Sequence, residues 1–250
     1  MYLIVGVGLH NGIHLIGNLV LWLFYHNEFS FIERYKCNDQ PWPWYEDNAA
    51  WRTLCFKSIA LLIFNSNVLV YLVTIFGDYT GLMEYHDMSI EKLPDTETLM
   101  KSIAFFMLVE DFIFYWCHRF LHWKVIYPHI HKIHHQHSVT VGVASLYAHP
   151  VEFIFGNMMP TIIGPAILGP QCHIATVWAW YIIRFGENID GHCGYEFSWS
   201  PYRLIPFSSA AEYHDFHHSA NVGNYASFFS IWDTVFGTND TFYEHLKERE

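Results

Sequence analysis

The stretch Leu99–Cys117, LMKSIAFFMLVEDFIFYWC, runs directly into His118-Arg119-Phe120-Leu121-His122, and its reading decides the fold. A helix needs roughly 20 apolar residues to cross the hydrocarbon of a bilayer, and this run meets that length. Glu110 and Asp111 interrupt it, and an H-x-x-x-H closes it. Three further apolar runs lie around it: Leu3–Tyr25, Phe56–Gly77 and Phe153–Phe185. The first two fit one crossing each. The last is too long for one and is broken by Pro160, Gly164, Pro165, Gly169 and Pro170, so it reads as a helical hairpin turning near Gly169-Pro170. The expected fold is therefore all-α, an integral membrane helical bundle. Residues 1–98 form an N-terminal membrane region of two helices. Residues 99–250 form the region that holds the third span, the hairpin and the histidine clusters.

Composition agrees. Of 250 residues, 52% are hydrophobic, 19% aromatic and only 15% charged. A soluble domain carries about 25% charged residues. The net charge of -11 argues against nucleic-acid binding, which needs a basic face. The five cysteines form no C-x-x-C pair, which disfavours a disulfide framework or a cysteine-based zinc site. The first span lacks a basic leading region and carries His10, Asn11, His14 and Asn18, so it reads as a retained helix and not as a cleaved signal. The connector 26–55, with Pro41-Trp42-Pro43-Trp44-Tyr45, has the aromatic character of the membrane–water interface. Arg34, Lys36, Arg52 and Lys57 follow the first span, and Arg119, Lys124 and Lys132 follow the third. Both segments fall on one side, which the positive-inside rule makes cytoplasmic.

Histidine is the outlier, with 18 copies against 13 Lys and Arg. The histidines are spaced in clusters: His118 and His122; His131, His134 and His135 as H-x-x-H-H; His214, His217 and His218 as a second H-x-x-H-H; and His192 between them. Residues three and four apart share a helix face, so each cluster aims its imidazoles at one point. Nine imidazoles exceed the four ligands of a tetrahedral zinc and suit two metal ions. An apolar setting without a hydrolysable group favours a redox metal that attacks C–H bonds, so iron is expected, with zinc as a substitute. His26, His86, His173 and His245 read as structural. His10 and His14, inside the first span, read as polar packing or substrate-path residues. Glu110, Asp111, Glu152, Glu187, Asp190 and Asp215 stand near the clusters and could accept the second N–H of an imidazole.

Finer motifs resemble a known family. Glu110-Asp111 leads through Phe114-Tyr115-Trp116 to His118–His122; Tyr147-Ala148-His149-Pro150 and Glu152 follow. Then come Glu187-Asn188-Ile189-Asp190-Gly191-His192, His214-Asp215-Phe216-His217-His218 and Asn224-Tyr225. The pattern, over about residues 99–240, resembles the fatty acid hydroxylase superfamily of membrane non-haem di-iron enzymes, and within it the sterol carbon-4 methyl oxidases. The resemblance implies a membrane bundle under a cytosolic histidine-rich cap. It also implies two irons, dioxygen as oxidant, and electrons from NAD(P)H through a reductase and cytochrome b5. The nine histidines become the ligands; Asn188 takes a place where fatty acid hydroxylases can carry a histidine, and His149 could line the substrate path. Gln136-His137-Ser138-Val139-Thr140 and Cys193 depart from the family's pattern, and the C-terminal Lys247-Glu248-Arg249-Glu250 lacks a dilysine signal.

The expected activity is oxygen-dependent hydroxylation of a sterol or related lipid, most simply carbon-4 methyl oxidation in sterol biosynthesis at the endoplasmic reticulum. Two alternatives stand beside it: a sterol desaturase or fatty acid hydroxylase of the same superfamily, and an accessory subunit of a larger membrane complex that keeps the fold and metal site.

Overall fold

The computed structural model describes residues 2–80 and 86–249. Their regular structure is helical, apart from isolated bridges such as Lys36 to Tyr195. The main helices are α1 (Tyr2–Asn27), α2 (Asn48–Thr80), α3 (Thr96–Leu121), α4 (Pro150–Gln171), α5 (Ile174–Gly191), α6 (Ala211–Ala220), α7 (Ile231–Phe236) and α8 (Asp240–Arg249). Local chemistry sets their starts. Asp47 accepts from the N–H groups of Ala49 and Ala50 at 3.0 Å to cap α2, and Asp95 accepts from Thr98 N–H at 2.7 Å to cap α3. The hairpin turn lies where it was expected. Gly169 takes a φ of 48°, a conformation that suits a residue without a Cβ, and Pro170 follows.

Three helices are long and apolar enough to cross a membrane: Leu3–Asn27, Asn48–Thr80 and Pro150–Gln171. The run Leu99–Cys117, expected as a further span, is not among them, and neither is α5. The reason is charge. Helix α3 carries Glu97, Lys101, Glu110, Asp111 and Arg119; α5 carries Arg184, Glu187 and Asp190. Glu110, Asp111 and Arg184 are buried within the bundle, while Leu108, Phe112, Trp116 and Phe120 of α3 stay exposed. The central charges of α3, Glu110 and Asp111, thus face the protein, while Glu97 and Lys101 pair with each other at the exposed start of the helix.

Helix α1 packs along α5, and α3 along α4. The second contact is close: a Cβ on Gly164 would stand 3.1 Å from the Cα of Phe106, so a larger residue would force the helices apart. Around this crossing Ile103, Phe106, Val177, Trp180 and Phe228 form one core. A second core gathers Leu21, Tyr25, Trp42, Tyr195 and Phe197. Trp42 was expected at the membrane interface. It is instead buried against Tyr25 and Tyr195, because the connector folds back over the end of α1. Tyr25 donates to the carbonyl of Cys193 at 2.7 Å and accepts from Gly142 N–H at 3.0 Å, which fastens α1 to the segments around the histidines.

Candidate metal centre

The nine clustered histidines come from four places in the fold. His118 ends α3 and His122 follows it. His131, His134 and His135 lie on a 3-10 turn, His131–Gln136. His192 caps α5, and His214, His217 and His218 lie on α6. Spacings of three and four residues on α6 turn its imidazoles toward the other clusters. They assemble into two groups. His118, His122, His131, His135 and His217 form one, and His134, His192, His214 and His218 the other; within each, the ring nitrogens lie within 4.8 Å of one another. Neither H-x-x-H-H triplet serves a single group. Each contributes to both, which places the two groups side by side.

Six of the nine outer nitrogens are committed, whereas Nδ1 of His135 is buried with no partner among the described residues. Nδ1 of His118 faces the carbonyl of Tyr225 at 2.9 Å, that of His134 the carbonyl of Tyr147 at 3.2 Å, and that of His192 the carbonyl of Asn188 at 2.7 Å. His217 faces the carbonyl of Gly223 at 2.6 Å, and His218 that of His137 at 2.9 Å. His131 faces Oε1 of Glu152 at 2.8 Å. A carbonyl only accepts, as does the Glu152 carboxylate when ionised, so each of these Nδ1 atoms then carries the proton and each Nε2 a lone pair. Yet the Nε2 atoms of His118 and His131 stand 3.1 Å apart, and those of His134 and His192 stand 3.3 Å apart. Two lone pairs that close repel unless a cation lies between them. The donor set therefore fits a metal ion in each group.

Electrostatics point the same way. Burial pushes the imidazole of His134 down to about 4 and that of His135 to about 2, with neighbouring imidazoles adding to the effect. His131, His214, His217 and His218 move in the same direction, again through burial first. All are neutral near pH 7, the form that binds metal.

The other expected site residues divide. Glu152 meets a ring, and Asn188 acts through its backbone carbonyl. Glu110 accepts from Arg184 at 2.5 Å, and Asp111 from the N–H of Phe229 at 3.0 Å; neither hydrogen-bonds to an imidazole. Asp190 is held by Ser200 and Arg203, and Asp215 by Asn38 and Thr140. These carboxylates brace the elements that carry the histidines. His149 caps α4, its Nδ1 accepting from Val151 N–H at 3.2 Å. His173 caps α5, as a structural role requires. The sequence reading missed the carbonyl acceptors of Tyr147, Gly223 and Tyr225, since a main-chain acceptor leaves no residue-type signal. It also missed Arg184, whose guanidinium joins Glu110 and Glu187.

Comparison with known proteins fits this geometry. The chain is 42% identical over 158 residues to a methylsterol monooxygenase of Arabidopsis thaliana, covering 62% of this chain and 58% of that protein. It is 43% identical over 159 residues to a methylsterol monooxygenase of Aspergillus fumigatus, covering 62% and 53%. It is also 41% identical over 163 residues to a very-long-chain aldehyde decarbonylase of Oryza sativa subsp. indica, covering 63% and 60%. The match thus spans well under two thirds of each relative. No solved structure matches the chain. The profile described as fatty acid hydroxylase matches residues 103–238, more than half of the chain and the part that holds all nine histidines. The chain belongs to the fatty acid hydroxylase family, a family of non-haem iron enzymes.

Proposed function

We propose that this chain is a membrane-bound di-iron oxidoreductase that uses dioxygen to hydroxylate a lipid methyl group, with carbon-4 methyl oxidation of a sterol as the leading case. The observation that carries the reading is the pairing of lone-pair Nε2 atoms at 3.1 and 3.3 Å, one pair in each of two adjacent groups. His118, His122, His131, His135 and His217 would hold one iron, and His134, His192, His214 and His218 the other. The irons would supply the dioxygen activation that an unactivated C–H bond demands and that no side chain offers.

The chain's own residues do the rest. The carbonyls of Tyr225, Tyr147, Asn188, Gly223 and His137 hold His118, His134, His192, His217 and His218 in the Nδ1–H tautomer. The Glu152 carboxylate offsets positive charge in an otherwise neutral donor set. An apolar cavity beside the histidines holds the lipid, so selectivity rests on positioning. Electrons would come from NAD(P)H through cytochrome b5 or a reductase, at the cytosolic face of the endoplasmic reticulum. Zinc would fill the same sites without supporting turnover. A second reading, decarbonylation of a very-long-chain aldehyde, is favoured by the near-equal identity to the rice decarbonylase. The accessory-subunit reading predicts co-purification with a large complex and no turnover when free.

Metal content and product analysis on detergent-purified protein test the proposal. Two irons per chain and oxygen-dependent oxidation of a carbon-4-methylated sterol are expected. Folded protein that takes up no metal would overturn the enzyme reading.

A further inference from the structure

Two segments, residues 199–209 and 228–236, are laced together on the outside of the bundle. Ser209 N–H donates to the carbonyl of Phe228 at 3.0 Å, and Ser230 N–H to that of Phe207 at 2.9 Å. Both lie against the helices well short of the histidines. The Tyr202 hydroxyl donates to the carbonyl of Ile183 on α5 at 3.0 Å, and Phe229 N–H to Asp111 on α3 at 3.0 Å. The Phe228 ring stands 5.7 Å from that of Trp180, whose indole donates to the carbonyl of Thr161 at 2.8 Å. Thr161 lies near the middle of the candidate span Pro150–Gln171. The two segments therefore descend beside a helix long and apolar enough to stand in hydrocarbon, toward its middle.

Their outward side is apolar. Leu204 is 86% exposed, Phe207 71% and Val235 63%. Phe207 holds a φ of 61°, a left-handed conformation that is unfavourable for a bulky L residue. An aromatic ring turned outward in that conformation gains nothing in water to offset the strain. Nearby polar groups are spent on the protein itself. Arg203 pairs with Asp190 at 2.8 Å and also with Glu196, and the Thr234 hydroxyl donates to the carbonyl of Ser230 at 3.0 Å. The N–H groups of Arg203, Ile205 and Ser208 donate to the carbonyls of Ser200, Tyr202 and Ile205 at 3.0–3.2 Å, as a backbone beside lipid requires.

The patch continues onto α3. Trp232 meets Phe112 edge to face at 5.0 Å between ring centres, and Phe236 meets Trp116 at 5.0 Å. Between Lys101 and Arg119 the exposed residues of α3 are Ala104, Leu108, Phe112 and Trp116, one stripe at a spacing of four. From Lys101 to Arg119 the helix rises about 27 Å, close to the thickness of bilayer hydrocarbon. Arg119 closes the stripe on the histidine side, its guanidinium 5.8 Å from the Trp116 ring and 5.9 Å from that of Phe236. A cation at the end of an aromatic face is the arrangement of a membrane–water boundary. Trp232, against Phe112, then lies about 10 Å of helix below Arg119, the depth to which interfacial segments sink.

We propose that this face is seated in phospholipid. Residues 199–209 and α7 enter the leaflet on the histidine side without crossing it, with Leu204, Phe207, Val235 and Phe236 among the acyl chains and Arg119 at the head groups. Lipid is the occupant and not a second protein, because the patch is continuous with the uncharged stripe of α3 and ends on a cation at interfacial depth. The inference rests on the candidate spans and is independent of the chemistry proposed for the metals.

The test is photo-crosslinking of the full chain in phosphatidylcholine vesicles. Leu204 and Val235 are replaced, one at a time, by p-benzoylphenylalanine. The same replacement of Phe76, exposed on the candidate span α2, is the lipid-facing reference, and that of Glu244, exposed on α8, is the reference outside the patch. After irradiation, the intact mass should rise by one phosphatidylcholine for the variants at 204, 235 and 76, and not for that at 244. A wild-type thermal midpoint identifies the folded variants, and the two sites stand independently should one fail to fold. A folded variant at either site that takes no lipid while position 76 does overturns the proposal. So do adducts that join two copies of the chain, which would assign the face to self-association.

Discussion

Glu152 Oε1 lies 2.8 Å from Nδ1 of His131, with both side chains buried. The carboxylate comes from the first turn of α4, a candidate membrane span, and the imidazole from the 3-10 turn beyond α3. The pair therefore links the bundle to the histidine group directly. Its second oxygen, Oε2, has no partner among the described residues. A carboxylate behind an imidazole raises the basicity of the far nitrogen and fixes the ring's orientation. Glu152→Gln should lower metal affinity by about 10- to 100-fold. A chelator titration followed by metal analysis reads the change; an unaltered affinity would make Glu152 a packing residue only.

His134 and His217 belong to different groups. Replacing either by alanine should abolish oxygen-dependent turnover and cut metal content by about half, from two ions to one. The helical content of the bundle should persist. Full turnover in either variant would refute the ligand assignment.

Acid should destabilise the metal-free protein. His134 is pushed down to about 4 in the folded chain, from 6.5 when exposed. Between these values the unfolded chain binds the proton and the folded chain does not, so stability falls as pH drops through that window and rises again with pH. Thermal midpoints of the chelator-treated protein across the window check the sign.

Arg184 stands buried between Glu110 and Glu187. Arg184→Met strands both carboxylates and should destabilise the fold by about 3–5 kcal/mol. Denaturation in detergent measures the loss. Adding Glu110→Gln and Glu187→Gln should recover part of it, because the stranded charges are then gone.

Helix contact can be probed at Gly164. Gly164→Val adds atoms where even a Cβ lies 3.1 Å from the Cα of Phe106. Overpacking of this kind costs about 1–3 kcal/mol. The same substitution at Gly8, whose Cβ would meet nothing within 4 Å, is the control and should cost no more than the loss or gain in helix propensity.

Much of this molecule could be read from residue order alone. Apolar runs disclose helices because a chain in lipid must satisfy its own backbone hydrogen bonds. The spacing of His131, His134 and His135, and of His214, His217 and His218, discloses shared faces because helical periodicity is local. Gly169-Pro170 discloses the hairpin for the same reason. What distance in sequence concealed was partnership. Nothing local says that His134 joins His192, His214 and His218 while its neighbours His131 and His135 join His118, His122 and His217. Nor does it say that Glu110 and Asp111 turn to Arg184 and the backbone of Phe229 instead of the imidazoles, or that Trp42 folds inward over Tyr25. Main-chain carbonyls at Tyr147, Gly223 and Tyr225 carry no residue-type signature at all. Those choices depend on which helices pack together, and only the tertiary structure sets them.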